Sequence, residues 1–344
     1  MGAESPINEA SVSQWMAKFV GAREPVTFSL IAGGRSNLTF RAQDAAGTAY
    51  ALRRPPLSHV LPTAHDMSRE FRILRALSPR GLPVPRPLAL CEEPDVTGAP
   101  FYLMEFVDGV IVRTREQAEA TFDEPTRAGI GPHLAQTLAD LHDVDVEEAG
   151  LGDLARHDGY IERQLRRWLS QYEQTRVPGD GGDGLVEAVG ERLTRTIPRA
   201  QRLSVVHGDY RLDNTVLASD GSVRAILDWE ICTLGDPLAD VGLLLDYWAE
   251  PEDPMVALLG SAPTTAPGFS RREDVLAAYG AGCDLDLSEV AYYRAFGYWK
   301  LACILQGVYA RYRAGATAGD AGSVDEFPAH VRALATMASE MLEG

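Results

Sequence analysis

The spacing of apolar and polar positions changes character along the chain. Residues 9–22 have helical spacing, with Trp15, Phe19 and Val20 on the predicted inner side. From residue 26 the spacing becomes that of strands, and three short strands are predicted over VTFSLI, NLTFRAQD and TAYALRR. A helix over HDMSREFRILRAL and two further strands near RPLALCEE and PFYLMEFV follow. This part of the chain therefore predicts five strands with one inserted helix.

After Gly109 the pattern becomes mostly helical. Helices are expected over 115–142, as one long helix or a broken pair, and over 158–175, 184–197, 237–249, 271–281, 287–313 and 325–342. A small strand region covers LSVVHGD, NTVLAS and VRAILDW. The patterns together predict an α+β fold of two lobes. A small antiparallel-sheet lobe would span residues 1–107 and a larger, mostly helical lobe residues 108–344.

Composition and charge narrow the class of protein. The 344 residues carry a net charge of −17, which argues against a nucleic-acid partner because such binding requires a basic surface. Four scattered cysteines without a CxxC pair favour a reducing cytoplasm over a zinc or disulfide framework. The amino terminus lacks a basic region and an apolar run, so no signal peptide is expected. Arg294 and Lys300 interrupt the most apolar helix, so no membrane span is expected. The oligomeric state stays open.

Two stretches carry residues suited to catalysis. In HGDYRLDN, Asp209 follows an apolar, strand-like run and Asn214 comes five residues later. A carboxylate on such a loop can orient a hydroxyl and accept its proton, although an isolated HGD could equally place an aspartate that caps a turn. In AILDWE, Asp228 ends a strand that should pair with TVLA through the turn SDGS and return close to Asn214. Two oxygen ligands from neighbouring strand ends predict a Mg²⁺ site.

The order HGDYRLDN then ILDWE resembles the aminoglycoside phosphotransferase-like family, which shares the protein-kinase fold. The resemblance covers roughly residues 26–310, and MEFVDG and DPLADVGLLLDYW also resemble the family. The similarity is greatest to the branch whose animal members carry this kinase domain fused to an acyl-CoA dehydrogenase. The resemblance implies an ATP- and Mg²⁺-dependent enzyme that transfers the γ-phosphate to a hydroxyl of a small molecule. GTP is an alternative to ATP.

The resemblance also implies roles for residues of the larger lobe. Asp209 would be the catalytic base, and Asn214 and Asp228 would hold Mg²⁺. Arg211 would stabilise charge on the phosphate in transit, and its alternative is an ion pair with Asp213 or Asp236. Asp240 resembles a residue that anchors the backbone of the catalytic loop, with a purely structural role on its helix as the alternative.

In the small lobe, AGGRSNLTF lies between two strands. The backbone amides of Gly33, Gly34, Arg35 and Ser36 could cover phosphates, because glycine allows close approach of the backbone. The alternative is an ordinary hairpin turn.

Protein kinases place a lysine in the third strand, where this chain has Arg53 and Arg54. We select Arg53 as the ligand of the α- and β-phosphates and Glu70 as its partner, because Glu70 shares the inward stripe of the following helix. The alternative for Glu70 is local pairing with Arg69, Arg72 or Arg75. At the hinge, the resemblance places the carbonyl of Glu105 and the N–H of Val107 against adenine.

The acceptor is open between an aminoglycoside-like amino sugar and a hydroxy acid or hydroxyacyl-CoA. Asp246, Glu250 and Asp253 would suit an amino sugar. A protein substrate is disfavoured, because WEICTLGDPLAD runs directly into a helix with no activation segment. Two rival functions remain. One is a non-catalytic nucleotide-binding pseudokinase module, favoured by the absent strand lysine, and the other is a metal-dependent hydrolase that uses His207 and Asp209.

Overall fold

The computed structural model describes residues 7–32, 37–55, 66–155, 159–177, 184–259, 262–315 and 324–343. The chain forms two compact units. The first comprises Met1–Val110, Thr215–Ala218 and Val223–Ile231, and the second comprises Ile111–Asn214, Ser219–Ser222 and Cys232–Gly344. Two short segments from later in the chain thus belong with the first unit. A single boundary near residue 107 does not include them.

The first unit is built on a five-stranded antiparallel sheet. The strands are β1 (Thr27–Ala32), β2 (Leu38–Gln43), β3 (Ala49–Arg54), β4 (Pro87–Cys91) and β5 (Phe101–Glu105), in the spatial order β1-β2-β3-β5-β4. Three helices accompany them: α1 (Glu9–Val20), α2 (Met67–Leu77) and α3 (Pro94–Thr97). The predicted five strands, inserted helix and amino-terminal helix are confirmed, and only the single-turn α3 is too short to show a periodic pattern.

The two faces of this sheet have different chemistry, because side chains alternate along each strand. One face is apolar and packs on α1 through a buried cluster that includes Trp15, Met16, Phe40, Leu52 and Leu103. The opposite face, called here the polar face, carries Thr39, Arg41, Ala51, Arg53 and Tyr102. Pairing aligns Thr39 and Tyr102 with Arg53, and Arg41 with Ala51.

A hairpin from later in the chain completes the first unit. Its strands are β7 (Thr215–Leu217) and β8 (Val223–Ile226), which pair antiparallel with Thr215 opposite Ile226. Main-chain hydrogen bonds tie the hairpin to the first segment, from Val110 N to Leu217 O at 2.9 Å and from Ile226 N to Pro83 O at 2.7 Å. The hairpin predicted between TVLA and VRAI is therefore present.

The second unit is mostly helical. Its helices are α4 (Arg115–Thr121), α5 (Glu124–His142), α6 (Tyr160–Gln174), α7 (Leu185–Arg195), α8 (Leu238–Tyr247), α9 (Pro254–Leu259), α10 (Arg272–Ala281), α11 (Val290–Arg313) and α12 (Phe327–Glu343). The predicted stretch 115–142 is a broken pair, because the Asp123 side chain caps α5 by accepting from Thr126 N and the first helix ends at Thr121.

A two-stranded antiparallel ladder of β6 (Ser204–Val206) and β9 (Thr233–Gly235) lies within the second unit. WEICTLGDPLAD leads into helix α8 at Leu238 as expected, and it also contains β9, which pairs with β6 and was not predicted. Three residues are too few to show strand alternation in sequence. Within the described ranges, no helix combines the length and apolar character needed to cross a membrane.

Candidate active site

The predicted catalytic loop, residues 207–214, begins where β6 ends. Gly208 has a φ of 84°, a left-handed conformation that favours glycine. The backbone N–H groups of His207 and Gly208 donate to the two oxygens of Asp240, at 2.6 and 2.8 Å. Asp240 lies in the first turn of α8, is 1% exposed, and also faces His142 Nε2 at 3.4 Å. The loop is thus anchored through its main chain by a buried carboxylate, the role that the resemblance implies.

Asp209 and Asn214 are in direct contact across this loop. The Asn214 Nδ2 donates to the Asp209 carbonyl at 2.9 Å and to Asp209 Oδ2 at 2.8 Å. This orientation of the amide leaves Asn214 Oδ1 available to a cation. Burial raises the pKa of Asp209, and the charges of Arg211 and His207 offset part of that rise. The Asp209 carboxylate is therefore held in one orientation and is a stronger base than an ordinary aspartate.

Arg211 lies between two carboxylates. Its Nη2 is 2.9 Å from Asp213 Oδ2 and its Nε is 3.5 Å from Asp209 Oδ1, while its guanidinium lies 4.6 Å from the ring centroid of Tyr247. The ion pair with Asp213, one of the two alternatives, is present. The other candidate, Asp236, accepts instead from Tyr293 OH at 2.7 Å. A guanidinium beside the proposed base can still meet an incoming phosphate, because the Asp209 contact is long.

Lys300 is a residue at this loop that sequence reasoning missed. In the sequence, Lys300 stands out only as a charge that interrupts an apolar helix. Its Nζ donates to the Gly208 carbonyl at 3.1 Å and lies 5.9 Å from the ring centroid of Trp168. Burial lowers the pKa of Lys300, and the charge of Asp209 offsets part of that effect. Removing a lysine ammonium from water is energetically costly. A lysine within an otherwise apolar helix is therefore the sequence signal that could have drawn attention to this residue.

In the first unit, Arg53 gathers three carboxylates on the polar face of the sheet. Its Nε is 2.9 Å from Glu70 Oε2, its Nη2 donates to Asp228 Oδ1, and Nη2 lies 3.6 Å from Glu230 Oε2. Arg54 instead donates to the carbonyls of Pro55 and Thr97, as strand alternation requires. The Arg53–Glu70 pair expected from sequence is present, and Glu230 is an addition that sequence reasoning did not assign.

Two neutral side chains complete this cluster. Asn37 Nδ2 donates to Glu70 Oε1 at 2.8 Å and to Glu230 Oε2 at 3.3 Å, and Tyr102 OH donates to Glu70 Oε2 at 3.0 Å. Burial raises the pKa of Glu70, while Arg53 and the Tyr102 hydroxyl act to lower it. The carboxylate of Glu70 is thus fully engaged and fixes the position of the Arg53 guanidinium.

Asp228 has an unusual backbone conformation. Its φ is 65°, and among the described residues it is the one non-glycine with a positive φ. Such a conformation costs about 1–3 kcal/mol and persists at positions that the surrounding structure fixes. The strained turn aims the Asp228 carboxylate at Arg53 and leaves Oδ2 outside that hydrogen bond.

The structure describes the predicted hinge residues but not the predicted phosphate-binding turn. Gly33, Gly34, Arg35 and Ser36 lie outside the described residues. Glu105 ends β5, where its exposed side chain lies 3.5 Å from Arg86, and Val107 follows two residues later.

The acidic residues expected to suit an amino sugar are engaged within the protein. Asp246 is buried and accepts from Arg294 Nε at 3.1 Å. Asp253 is paired with Arg272, and Glu250 Oε1 accepts from Arg272 N at 3.0 Å. The burial of Asp246 and the ion pair of Asp253 argue against an acidic lining from these two residues.

The two predicted magnesium ligands each keep an oxygen suited to that ion. Asn214 and Asp228 each have one side-chain oxygen outside the contacts described above, and Mg²⁺ prefers oxygen. Among the described residues, no group of three or more His, Cys, Asp or Glu side chains is arranged to hold a metal ion. Magnesium is commonly held by one or two protein oxygens, with water and phosphate filling the other positions, so each residue, taken by itself, has the chemistry of a ligand for this ion.

Comparison with known families decides the class of the protein. The pattern of the phosphotransferase enzyme family matches residues 27–273. The chain belongs to this family. It is 35% identical over 303 residues to acyl-CoA dehydrogenase family member 10 of Mus musculus, covering 85% of this chain and 28% of the relative. It is 34% identical over 315 residues to member 11 of Rattus norvegicus, covering 89% of this chain and 39% of the relative. The phosphotransferase chain thus spans well under half the length of these relatives.

Solved structures agree with this family. A protein from Ralstonia eutropha assigned to the aminoglycoside phosphotransferases has a TM-score of 0.79 and 27% identity, with 98% of each chain covered. An amicoumacin kinase in complex with AMP-PNP, Ca²⁺ and its antibiotic has a TM-score of 0.61 and 19% identity, over 98% of this chain and 94% of the other. The second likeness shows the fold alone. The α+β kinase-like fold and the resemblance to the fused branch are confirmed.

Proposed function

We propose that the protein transfers the γ-phosphate of ATP to a hydroxyl group of a small molecule, with Asp209 as the catalytic base. One observation carries this proposal. The Asp209 carboxylate is oriented by Asn214, flanked by Arg211 and Lys300, and mounted on a loop whose backbone is fixed by Asp240. A base held in this way suits the positioning role that phosphoryl transfer demands of a protein.

The chemical step follows from this arrangement. The acceptor hydroxyl donates a hydrogen bond to the Asp209 carboxylate, which takes the proton as the acceptor oxygen bonds to the γ-phosphorus. The bond between the γ-phosphorus and the β–γ bridging oxygen breaks, and ADP leaves with that electron pair. Arg211 stabilises negative charge on the phosphoryl group in transit, since a fixed cation is most effective where charge develops.

Nucleotide binding is assigned to the first unit and the loop before β7. Arg53, fixed by Glu70, would bind the α- and β-phosphates, and the backbone groups of Glu105 and Val107 would bind the base. The amides of Gly33, Gly34, Arg35 and Ser36 stay predicted phosphate contacts. Asn214 and Asp228 would each ligate Mg²⁺, which supplies charge neutralisation on the phosphates when bound. The AMP-PNP held by the amicoumacin kinase supports nucleotide use by this fold.

The acceptor class is narrowed by the charged residues of the second unit. Asp246 and Asp253 are paired with arginines, so they offer no lining for an amino sugar. Lys300 instead places an ammonium group near Asp209, where it suits a carbonyl or carboxylate oxygen on the acceptor. The relatives named as acyl-CoA dehydrogenases point the same way. A hydroxy acid or hydroxyacyl-CoA is therefore proposed ahead of an amino sugar.

The test is ADP release with Mg²⁺ and ATP, screened over hydroxy acids, their CoA esters and amino sugars. At least one acceptor should be phosphorylated, and Asp209→Asn should lower kcat by about 10²–10⁴-fold while ATP binding persists. Asp220→Asn is the matched control, because Asp220 lies in an exposed turn and accepts hydrogen bonds from Ser222 N and Oγ. ATP binding by both wild type and Asp209→Asn without turnover on any acceptor would favour the pseudokinase alternative.

A further inference from the structure

Arg41 on the polar face of the sheet has no role in the proposed chemistry so far. It lies on β2, opposite Ser29 on β1 and Ala51 on β3. Its guanidinium carbon lies 5.0 Å from the centroid of the Phe106 ring. Its Nε is buried and has no hydrogen-bond partner in the described part of the chain. A planar cation is thus laid on an aromatic ring with one of its buried donors unused.

The position of Arg41 relates it to both ends of a nucleotide. Arg53 lies two residues beyond Ala51 on β3, so one strand repeat of about 7 Å separates Arg53 from the residue paired with Arg41. Phe106 lies between Glu105 and Val107, whose backbone groups are proposed to bind the base. A nucleotide with its phosphates at Arg53 and its base at the hinge therefore passes Arg41.

The residues paired with Arg41 in the sheet have small side chains. On β3 the paired residue is Ala51, and on β1 it is Ser29. A guanidinium stacks readily on aromatic faces because it is planar, delocalised and weakly hydrated. Lysine lacks this plane.

We propose that Arg41 is a nucleotide-binding residue whose guanidinium stacks on the purine base. This inference rests on the proposed function, because it requires a nucleotide on the polar face. Arg41 then covers the base while Arg53 holds the phosphates, so two arginines on one sheet face divide the recognition of one ligand.

The experiment compares two ligands on four proteins by calorimetry. The ligands are Mg²⁺-ATP and Mg²⁺-tripolyphosphate, which keeps the phosphate chain and lacks the base. The proteins are wild type, Arg41→Ala, Arg41→Lys and the control Gln43→Ala, since Gln43 is the next residue on the same face of β2 and bonds to Gly47 O. Thermal unfolding of each variant checks that the sheet is intact.

Arg41→Ala should raise the Kd for ATP by about 10-fold, a size typical of a partly desolvated cation–π contact, and leave that for tripolyphosphate unchanged. Arg41→Lys should recover less than half of the lost affinity, and Gln43→Ala should match wild type. An unchanged ATP Kd in Arg41→Ala overturns the inference. Equal weakening of both ligands, or full rescue by lysine, overturns it in favour of a phosphate contact. A wild type that binds no nucleotide refutes the proposed function itself.

Discussion

Helix α8 carries a buried aspartate near each end, and the pKa values of the two are shifted in opposite directions. Asp240 lies in the first turn and is 1% exposed, and Asp246 lies near the last residue and is 0% exposed. Burial acts to raise the pKa of both. The pKa of Asp240 is nevertheless lowered, whereas that of Asp246 is raised to about 8. Burial therefore decides the direction of the pKa shift at Asp246, whereas at Asp240 the hydrogen bonds and neighbouring charges outweigh burial.

Their partners differ in number and in direction. Asp240 faces the His142 ring, both of its oxygens accept backbone N–H groups, and the positive end of the α8 dipole lies beside it. Asp246 has Arg294 on Oδ1, but Oδ2 has no hydrogen-bond partner in the described structure, and the negative end of the helix dipole is close. Arg272 is a second nearby cation that lowers the pKa of Asp246. Its Nε donates to the Leu245 carbonyl at 2.7 Å, so this donor is engaged by the end of α8.

The comparison separates a site residue from a packed one. Asp240 accepts a backbone N–H on each oxygen and thereby fixes the loop that bears Asp209. Holding both N–H groups requires a carboxylate that stays ionised. Asp246 faces the backbone of α11 at Gly297, where a built Cβ would lie 2.2 Å from Asp246 Oδ2. Its carboxyl is buried between α8 and α11, so it is not part of an acceptor site lining.

The largest effect is expected from Asp240→Asn. The amide group must turn its NH₂ toward the N–H of His207 or Gly208, so one backbone donor loses its acceptor. We expect the free energy of unfolding to fall by about 2–4 kcal/mol, because a buried charge-assisted hydrogen bond is lost. We also expect kcat to fall by about 100-fold as the loop moves. Urea unfolding and ADP release measure the two effects.

Asp246→Asn is the matched control for this variant. It makes the same change on the same helix at an equally buried position, but it touches no residue of the catalytic loop. Its kcat should stay within a few fold of wild type. If both variants lost activity to the same extent, the contrast between the two ends of α8 would be wrong.

Much of this contrast could not be predicted from sequence. Strands and helices longer than about five residues followed from their apolar period, and HGDYRLDN followed by ILDWE indicated the family. The spacing of apolar residues does not reveal β9, because this strand has only three residues. It also does not show which way the Asp246 side chain points, because α8 is apolar around most of its circumference and has no clear inner side. The neighbours of Lys300 come from α6 and the catalytic loop, more than 90 residues away, so only the fold reveals them.

A smaller effect is expected from Gly297→Ala. The added methyl group would meet Asp246 Oδ2 at 2.2 Å, so either the buried Asp246 carboxyl or α11 must shift. Overpacking of this kind costs about 1–3 kcal/mol, and thermal unfolding should show a lower Tm. Gly129→Ala in α5 is the control, because its nearest contact is an ordinary 3.5 Å to His133 and alanine favours a helix.

A double variant sharpens this test. Truncation by Asp246→Ala removes the oxygen that the new methyl group meets, so Gly297→Ala should cost less in that background than in wild type. Equal costs in the two backgrounds would show that the clash lies elsewhere and that Oδ2 does not face Gly297.

The smallest effect is a difference in pH dependence between wild type and Asp246→Asn. The pKa of Asp246 is about 8 in the folded protein and 3.8 for an ordinary aspartate. Between these values the folded state keeps the proton and the unfolded state has lost it, so rising pH favours unfolding. Wild type should therefore lose stability relative to Asp246→Asn by at most about 1.4 kcal/mol per pH unit.

Urea unfolding at intervals from pH 5 to pH 8 measures this difference. Asp240 does not obscure it, because a lowered pKa places its contribution on the acid side, where stability is lost as pH falls below the ordinary range of an aspartate. Parallel curves for wild type and Asp246→Asn would mean that Arg294 keeps Asp246 ionised throughout. Asp240 and Asp246 would then carry the same charge. The lack of a hydrogen-bond partner on Asp246 Oδ2 in the described structure would not be the feature that distinguishes them.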